Sequence, residues 1–178
     1  MKVGILALQG SFAEHGVVLD KIKQPFVLVK TKQDLEGLTH LIIPGGESTT
    51  LEKLLKKSGL WEELEKKIKK KELKFFGTCA GAIIFSKLGM DLQVERNGYG
   101  AQQNSFVEKL ESEMFPELGG VFIRAPRFKV QKNSKILARM GNEPVLIEQD
   151  KFLTSSFHPE LIGETRVHEY FLKKGKIH

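Results

Sequence analysis

A single cysteine, Cys79, is all that the 178 residues contain. That excludes an internal disulfide framework, so the thiol has to be judged on its reactivity. Nowhere does an apolar run approach the roughly 18 to 20 residues that a membrane-spanning helix needs. Met1-Lys2-Val3-Gly4-Ile5-Leu6 opens directly as a strand, without the apolar core and cleavage site of a signal peptide. A reducing cytoplasm, away from any membrane, is therefore expected. No tract is biased enough for disorder, and 40% hydrophobic with 28% charged residues is ordinary for a globular chain. Internal repeats and linkers are also missing. One domain spanning residues 1–178 is expected, long enough to bury a sizeable core.

The formal net charge of +6 invites a nucleic-acid reading. Much of the excess lies in Lys66-Lys67-Ile68-Lys69-Lys70-Lys71, at the end of an amphipathic pattern. Lysines there complement the negative end of a helix dipole and face water. No aromatic-interleaved basic stretch or nucleic-acid module accompanies them, so nucleic acid is excluded as a partner. No His, Cys, Asp or Glu cluster has metal-ligand spacing, so no metal is expected.

What is present alternates. Residues 3–8 form a continuous apolar run, as a parallel strand covered on both faces requires. Residues 12–22 read as a helix, 25–29 as a strand, and 41–43 as a short buried strand closed by Pro44-Gly45-Gly46. Residues 50–71 carry helical apolar spacing, with a break at Ser58-Gly59. A strand at 73–76 and a helix at 80–88 follow. This predicts an α/β fold: a doubly wound, flavodoxin-like or Rossmann-like domain with a mostly parallel central sheet. From residue 92 to 157 the pattern changes to short strands, around Val94, Phe106, 121–123, 145–147 and 152–155, which predicts an antiparallel annex. A helix at 164–173 closes the chain.

Ligands of open α/β sheets bind beyond the carboxyl ends of the strands. Gln9-Gly10, Gly45-Gly46 and Cys79 each follow a predicted strand, so all three belong on one edge. Gly77-Thr78-Cys79-Ala80-Gly81 is the cysteine version of the G-x-S-x-G nucleophile elbow, in the strand–turn–helix context it needs. Its glycines allow a sharp turn, and a cysteine at a helix N-terminus feels the positive end of the dipole, which favours thiolate. Of the five histidines, His40 precedes its strand, His168 lies within the last helix and His178 ends the chain. His15 and His158 remain. In Phe157-His158-Pro159-Glu160 an extended backbone would set Glu160 on the same face as His158, where a carboxylate can fix the imidazole tautomer. His15 is the rival base, expected to sit on the exposed face of an early helix turn. The Pro44-Gly45-Gly46-Glu47-Ser48-Thr49-Thr50 turn exposes backbone N–H groups, a candidate oxyanion hole, with Ser48 or Thr49 as helix cap. It lacks the lysine of a phosphate-binding loop.

Cys79 followed by His158-x-Glu160, with a glycine-rich turn ahead, resembles the class I glutamine amidotransferases. Ala7-Leu8-Gln9-Gly10, Glu14-His15, residues 44–50, Gly77 to Gly81, Val94-Glu95-Arg96-Asn97, Phe122-Ile123-Arg124-Ala125-Pro126 and Ser156 to Leu161 are similar to one branch. That branch is the glutaminase subunit of pyridoxal 5′-phosphate synthase (the PdxT/SNO family). The resemblance implies that Cys79, His158 and Glu160 are the catalytic triad. It implies that Gly46, Glu47, Ser48, Arg96, Ile123 and Arg124 hold L-glutamine, and that Gln9, Gly46 and Ala80 organise the oxyanion site. It further implies no cofactor, and a ring-building synthase subunit as partner in a hetero-oligomer. The chain departs from the family in a short connection between Leu88 and Val94, and in Ala101, where the family generally has arginine. Two other readings are a DJ-1/PfpI-like cysteine hydrolase, which lacks the Phe157 to Glu160 block, and a flavodoxin-like anion-binding module, which leaves the elbow unexplained.

Overall fold

The computed structural model describes residues 1–99, 105–130 and 132–173; Ala101 lies outside them. Seven strands form the central sheet: β1 (Val3–Leu6), β2 (Phe26–Val29), β3 (His40–Ile43), β4 (Lys74–Thr78), and, from the second half, β9 (Lys135–Met140), β10 (Glu143–Gln149) and β11 (Phe152–Ser155). Their spatial order is β2-β1-β3-β4-β11-β10-β9. Pairings from β2 to β11 are parallel, and those of β11 with β10 and β10 with β9 are antiparallel. Two separate antiparallel ribbons complete the annex, β5 (Leu92–Glu95) with β8 (Arg127–Val130), and β6 (Phe106–Lys109) with β7 (Gly119–Phe122).

The predicted annex thus divides into a continuation of the main sheet and two ribbons. Strands β8 and β9 are absent from the sequence reading. Each carries exposed and half-buried positions among its apolar ones, so neither shows the dense apolar run of an inner strand.

Among the described residues, five helices cover the sheet: α1 (Phe12–Lys21), α2 (Ser48–Lys57), α3 (Leu60–Lys69), α4 (Ala80–Leu88) and α5 (Arg166–Lys173). The alternation of side chains along each strand sorts them into two layers. On one face Leu6, Leu41, Ile43 and Phe75 pack with Leu51, Leu55, Leu64 and Phe85 of α2, α3 and α4. On the other, Ile5, Ile42 and Phe76 pack with Leu19 of α1, Val167 and Phe171 of α5, and Phe122 of β7. Gly59, at φ +71°, breaks α2 from α3 where expected, and at the α3 terminus Lys66, Lys69 and Lys70 are exposed while Lys67 is half-buried. The short connection after α4 turns on Gly89 and is tied down by Gln149, whose side chain accepts from Asp91 N–H (2.7 Å) and donates to Asp91 O (3.1 Å).

Because β1, β3, β4 and β11 are parallel, their carboxyl ends share one edge. That edge carries Gln9, Gly45-Gly46, Cys79 and His158. The sheet order reverses direction between β1 and β3, which is where ligands of such folds bind.

Candidate active site

Cys79 is the residue between β4 and α4, with φ +49° and ψ −100°. A non-glycine residue at positive φ is strained, and such strain concentrates at functional sites. The corner is possible because Gly81 lets α4 approach β3: a Cβ on Gly81 would lie 2.3 Å from the Ile43 carbonyl oxygen. Cys79 N–H donates to Ser155 O (2.8 Å), and its sulfur lies 3.8 Å from the Ile123 carbonyl oxygen. Ala80 opens α4, so its N–H has no carbonyl of a preceding helical turn to bond.

Around the thiol is a cavity of about 420 Å³ lined by Gly10, Ser11, Glu14, Gly45, Gly46, Glu47, Ser48, Cys79, Ala80, Ile83, Arg96, Asn97, Ile123, Arg124, His158 and Leu161. Asn97 and Arg124, on its walls, are also at positive φ. The cavity therefore gathers three strained non-glycine residues from three separate connections.

His158 leaves β11 through Ser156 and Phe157, and its N–H donates to Val121 O (2.8 Å) on β7. Its Nδ1 lies 2.8 Å from Glu160 Oε1. The physical route differs from the extended segment expected. Residues Pro159–Ile162 form a 3-10 turn with Pro159 at its start, and this turn swings Glu160 back beneath the imidazole. The ring packs edgewise on Gly45, where a Cβ would come within 2.2 Å of His158 Cε1.

Burial disfavours the His158 imidazolium, but hydrogen bonding with Cys79 and Glu160, and the charges of both, outweigh it and raise its pKa to about 10. Burial likewise opposes ionisation of Glu160. The His15 and His158 rings and the Ser11 hydroxyl prevail, lowering its pKa to about 2. Since burial lowers the pKa of His15 as well, the cation that Glu160 meets at neutral pH is His158.

The glycine turn is held from both sides. Ser11 N–H donates to Gly45 O (3.0 Å), and Gly45 N–H donates to Thr78 Oγ1 (2.9 Å). Gln9 Oε1 accepts from Glu47 N–H (3.2 Å), and its amide covers Gly46. The Glu47 side chain, grouped by resemblance with the substrate contacts, is otherwise engaged. It caps α2, accepting from Thr49 N–H (3.0 Å), Thr50 N–H (2.6 Å) and the Thr50 hydroxyl (2.6 Å). These bonds, led by those from Thr50, lower its pKa to about 2. The cap is thus neither Ser48 nor Thr49. Ser48 is buried; Arg96, Ile123 and Arg124 are exposed on the opposite wall, with Arg96 Nη1 donating to Thr49 Oγ1 (3.3 Å).

His15 is not on an exposed face; it is fully buried. Its helix turns His15, Val18 and Leu19 inward together. That spacing of three and four residues was the overlooked signal. Its Nδ1 lies 2.8 Å from Nε2 of His168, also fully buried, and its Nε2 lies 3.3 Å from Thr78 Oγ1. Ser11 and Thr78 were missed as well: the Ser11 hydroxyl donates to Glu160 Oε1 (2.7 Å), and that of Thr78 lies 3.4 Å from it. Local spacing carries no sign of either contact, because Ser11 and Glu160 are 149 residues apart.

The model of the SNO glutamine amidotransferase family matches residues 5–176. The chain is 46% identical over 183 aligned residues to the pyridoxal 5′-phosphate synthase subunit PdxT of Thermus thermophilus, covering 96% of each chain. It is 43% identical to the same subunit of Thermosipho africanus, covering 99% of this chain and all of that one. A solved structure of a glutamine amidotransferase, 46% identical, superposes with a TM-score of 0.91 over 96% of this chain and 97% of that chain. With the fold, the elbow and a match running nearly end to end, this chain belongs to the SNO glutamine amidotransferase family.

Proposed function

We propose that the protein hydrolyses L-glutamine to L-glutamate and ammonia, using Cys79 as nucleophile with His158 and Glu160. The observation that carries this reading is the strained Cys79 corner, opening on the same cavity as a His158 ring bonded to a buried carboxylate. Glutamine enters with its α-carboxylate toward Arg96 and Arg124, whose planar guanidinium groups can fork onto both oxygens. The backbone of Gly46 to Ser48 and of Ile123 lines the path of its side chain. Cys79 sulfur attacks the carboxamide carbon, and the N–H groups of Gly46 and Ala80 receive the negative charge that develops on oxygen. Gln9 steadies this turn through Glu47. His158 donates its proton to the departing nitrogen, so ammonia leaves and a glutamyl thioester remains. His158 then takes a proton from water, which attacks the thioester; glutamate leaves, the proton of its new carboxyl group passes to solvent, and the Cys79 sulfur and the protonated His158 are regenerated. Glu160 keeps the imidazole oriented throughout and balances its positive charge.

The named relatives are subunits of pyridoxal 5′-phosphate synthase. By that likeness the ammonia passes to a ring-building synthase subunit in a cytoplasmic hetero-oligomer. Among the described residues no helix is long and apolar enough to cross a membrane. Glutamate formation at saturating glutamine, measured for this chain alone and with its synthase subunit in equimolar amount, tests both halves. Turnover that depends on Cys79 and rises with the partner is expected. Absence of glutamate in both samples would overturn the glutaminase reading, and equal rates would overturn partner activation.

A further inference from the structure

His15 and His168 take no step in the reaction above, yet both are fully buried directly behind it. An imidazole withdrawn from water is costly unless its nitrogens are engaged; both nitrogens of His15 are, whereas His168 Nδ1 has no hydrogen-bond partner among the described residues. Here one nitrogen of His15 meets His168 Nε2 at 2.8 Å, and the other stands between Thr78 Oγ1 at 3.3 Å and Glu160 Oε1 at 3.5 Å. In either tautomer, then, one face of His15 is anchored on α5 and the other meets the Thr78 hydroxyl.

Thr78 is a junction. Its oxygen accepts the Gly45 N–H, its chain neighbour is Cys79, and its hydroxyl lies within reach of both His15 and Glu160. A threonine hydroxyl rotates, and what it faces decides where its proton and its lone pairs point. Glu160 Oε1 already accepts at 2.7 Å from Ser11, with the His158 ring at 2.8 Å, so its bond from Thr78 is the long one at 3.4 Å, and His15 at 3.3 Å shares in orienting Thr78. The Gly45 peptide held by that hydroxyl precedes Gly46, and Gly45 is also the surface on which His158 packs.

We propose that His15, braced by His168, is a positioning residue: it fixes the Thr78 hydroxyl and so keeps the Gly45-Gly46 turn in register with Cys79 and His158. The inference rests on the glutaminase reading and deepens it. His15 touches neither substrate nor the reacting atoms. Its effect is on alignment, and misalignment by about 1 Å from a distant change can cost about a hundredfold in rate.

The test uses the complex with the synthase subunit and three substitutions. Glutamine at position 15 keeps an amide at the depth of Nε2, asparagine keeps one at the depth of Nδ1, and phenylalanine keeps only volume. His15→Phe and His15→Asn should lower kcat for ammonia release about tenfold to a hundredfold, with KM for glutamine changed by less than about twofold. His15→Gln should recover most of the loss. Thr78→Val should behave like His15→Phe, and Thr78→Ser, which keeps the hydroxyl, should retain more activity than Thr78→Val. If the three His15 variants fall together in step with their melting temperatures, or all keep the parent kcat, the ring is core filling and the inference is overturned. A parent complex that releases no Cys79-dependent ammonia would instead overturn the glutaminase reading, and this inference with it.

Discussion

Behind Cys79 the polar groups are buried and crowd around Glu160 Oε1, although Glu160 Oε2 and His168 Nδ1 have no hydrogen-bond partner among the described residues; in front of it the two arginines are exposed and lightly held. Glu160 is 4% exposed, and His15, Thr78 and His168 are sealed completely. Glu160 Oε1 alone has four polar neighbours between 2.7 and 3.5 Å. At the mouth, Arg96 and Arg124 stand in solvent, and Arg96 leans on a single hydroxyl. The contrast separates two tasks. Low dielectric behind the thiol magnifies each hydrogen bond and charge, and so sets protonation and ring orientation. At the mouth, water screens the charges, so they suit recognition of a substrate carboxylate that must also leave. Changes to the deep side should therefore act on kcat, and changes to the mouth on KM.

The largest break comes from Cys79→Ala, which should reduce ammonia release by at least about 10⁴-fold in the presence of the synthase subunit. Its circular dichroism and thermal melt should show an intact fold, because only the sulfur is lost; substantial residual turnover would remove Cys79 from the nucleophile role. Next in size is Glu160→Gln, which keeps shape but leaves the His158 ring without an anion. A fall in kcat of about 10³- to 10⁴-fold is expected, with KM nearly unchanged, by analogy with loss of the orienting carboxylate in serine hydrolases. A shift confined to KM would put Glu160 on the wrong side of the comparison.

Arg96→Lys probes the mouth. Lysine keeps the charge but not the planar fork, so KM should rise by about tenfold while kcat stays close to the parent value. Unaltered KM with lowered kcat would reverse the assignment.

The smallest effect is on stability against pH, and its sign follows from the deep side. His158 has its pKa raised from 6.5 to about 10 by the fold, so its contribution is full below 6.5 and is lost as pH rises toward about 10. Glu160 is lowered from 4.5 to about 2, so its contribution is present above 4.5 and is lost as pH falls toward about 2. Thermal melts should show both contributions intact between 4.5 and 6.5. In Cys79→Ala the alkaline decline should be shallower, since hydrogen bonding with Cys79 is the leading cause that raises His158. Parallel alkaline slopes in the two proteins would mean that the thiol and the imidazole are not coupled.

Most of the parallel half was legible from local pattern. Residues 80–88 are helical as expected, and the break at Ser58-Gly59 falls between α2 and α3. The failures have a common cause. Glu47 is the helix cap because α2 begins at Ser48, not at residue 50, which places Ser48 and Thr49 inside the first turn. Glu160 reached His158 through a 3-10 turn, although extended backbone was the simpler expectation for two residues so close in sequence. In each case the partner was right or nearly so, and the backbone that joins them was not, since short loops offer several routes between the same ends.

What the sequence alone determined is the fold class, the elbow at Cys79 and the grouping of Gln9, Gly45-Gly46, Cys79 and His158 at one sheet edge. These follow from periodicities of two and 3.6 and from glycine placement, which are local properties. Only the tertiary structure decided that His15 and His168 meet behind Glu160, that Ser11 bonds a carboxylate 149 residues away, and that Thr78 joins the elbow to the glycine turn. Those contacts depend on how α1, α5 and β4 stack, and side chains brought together by stacking leave no spacing in the chain from which to read them.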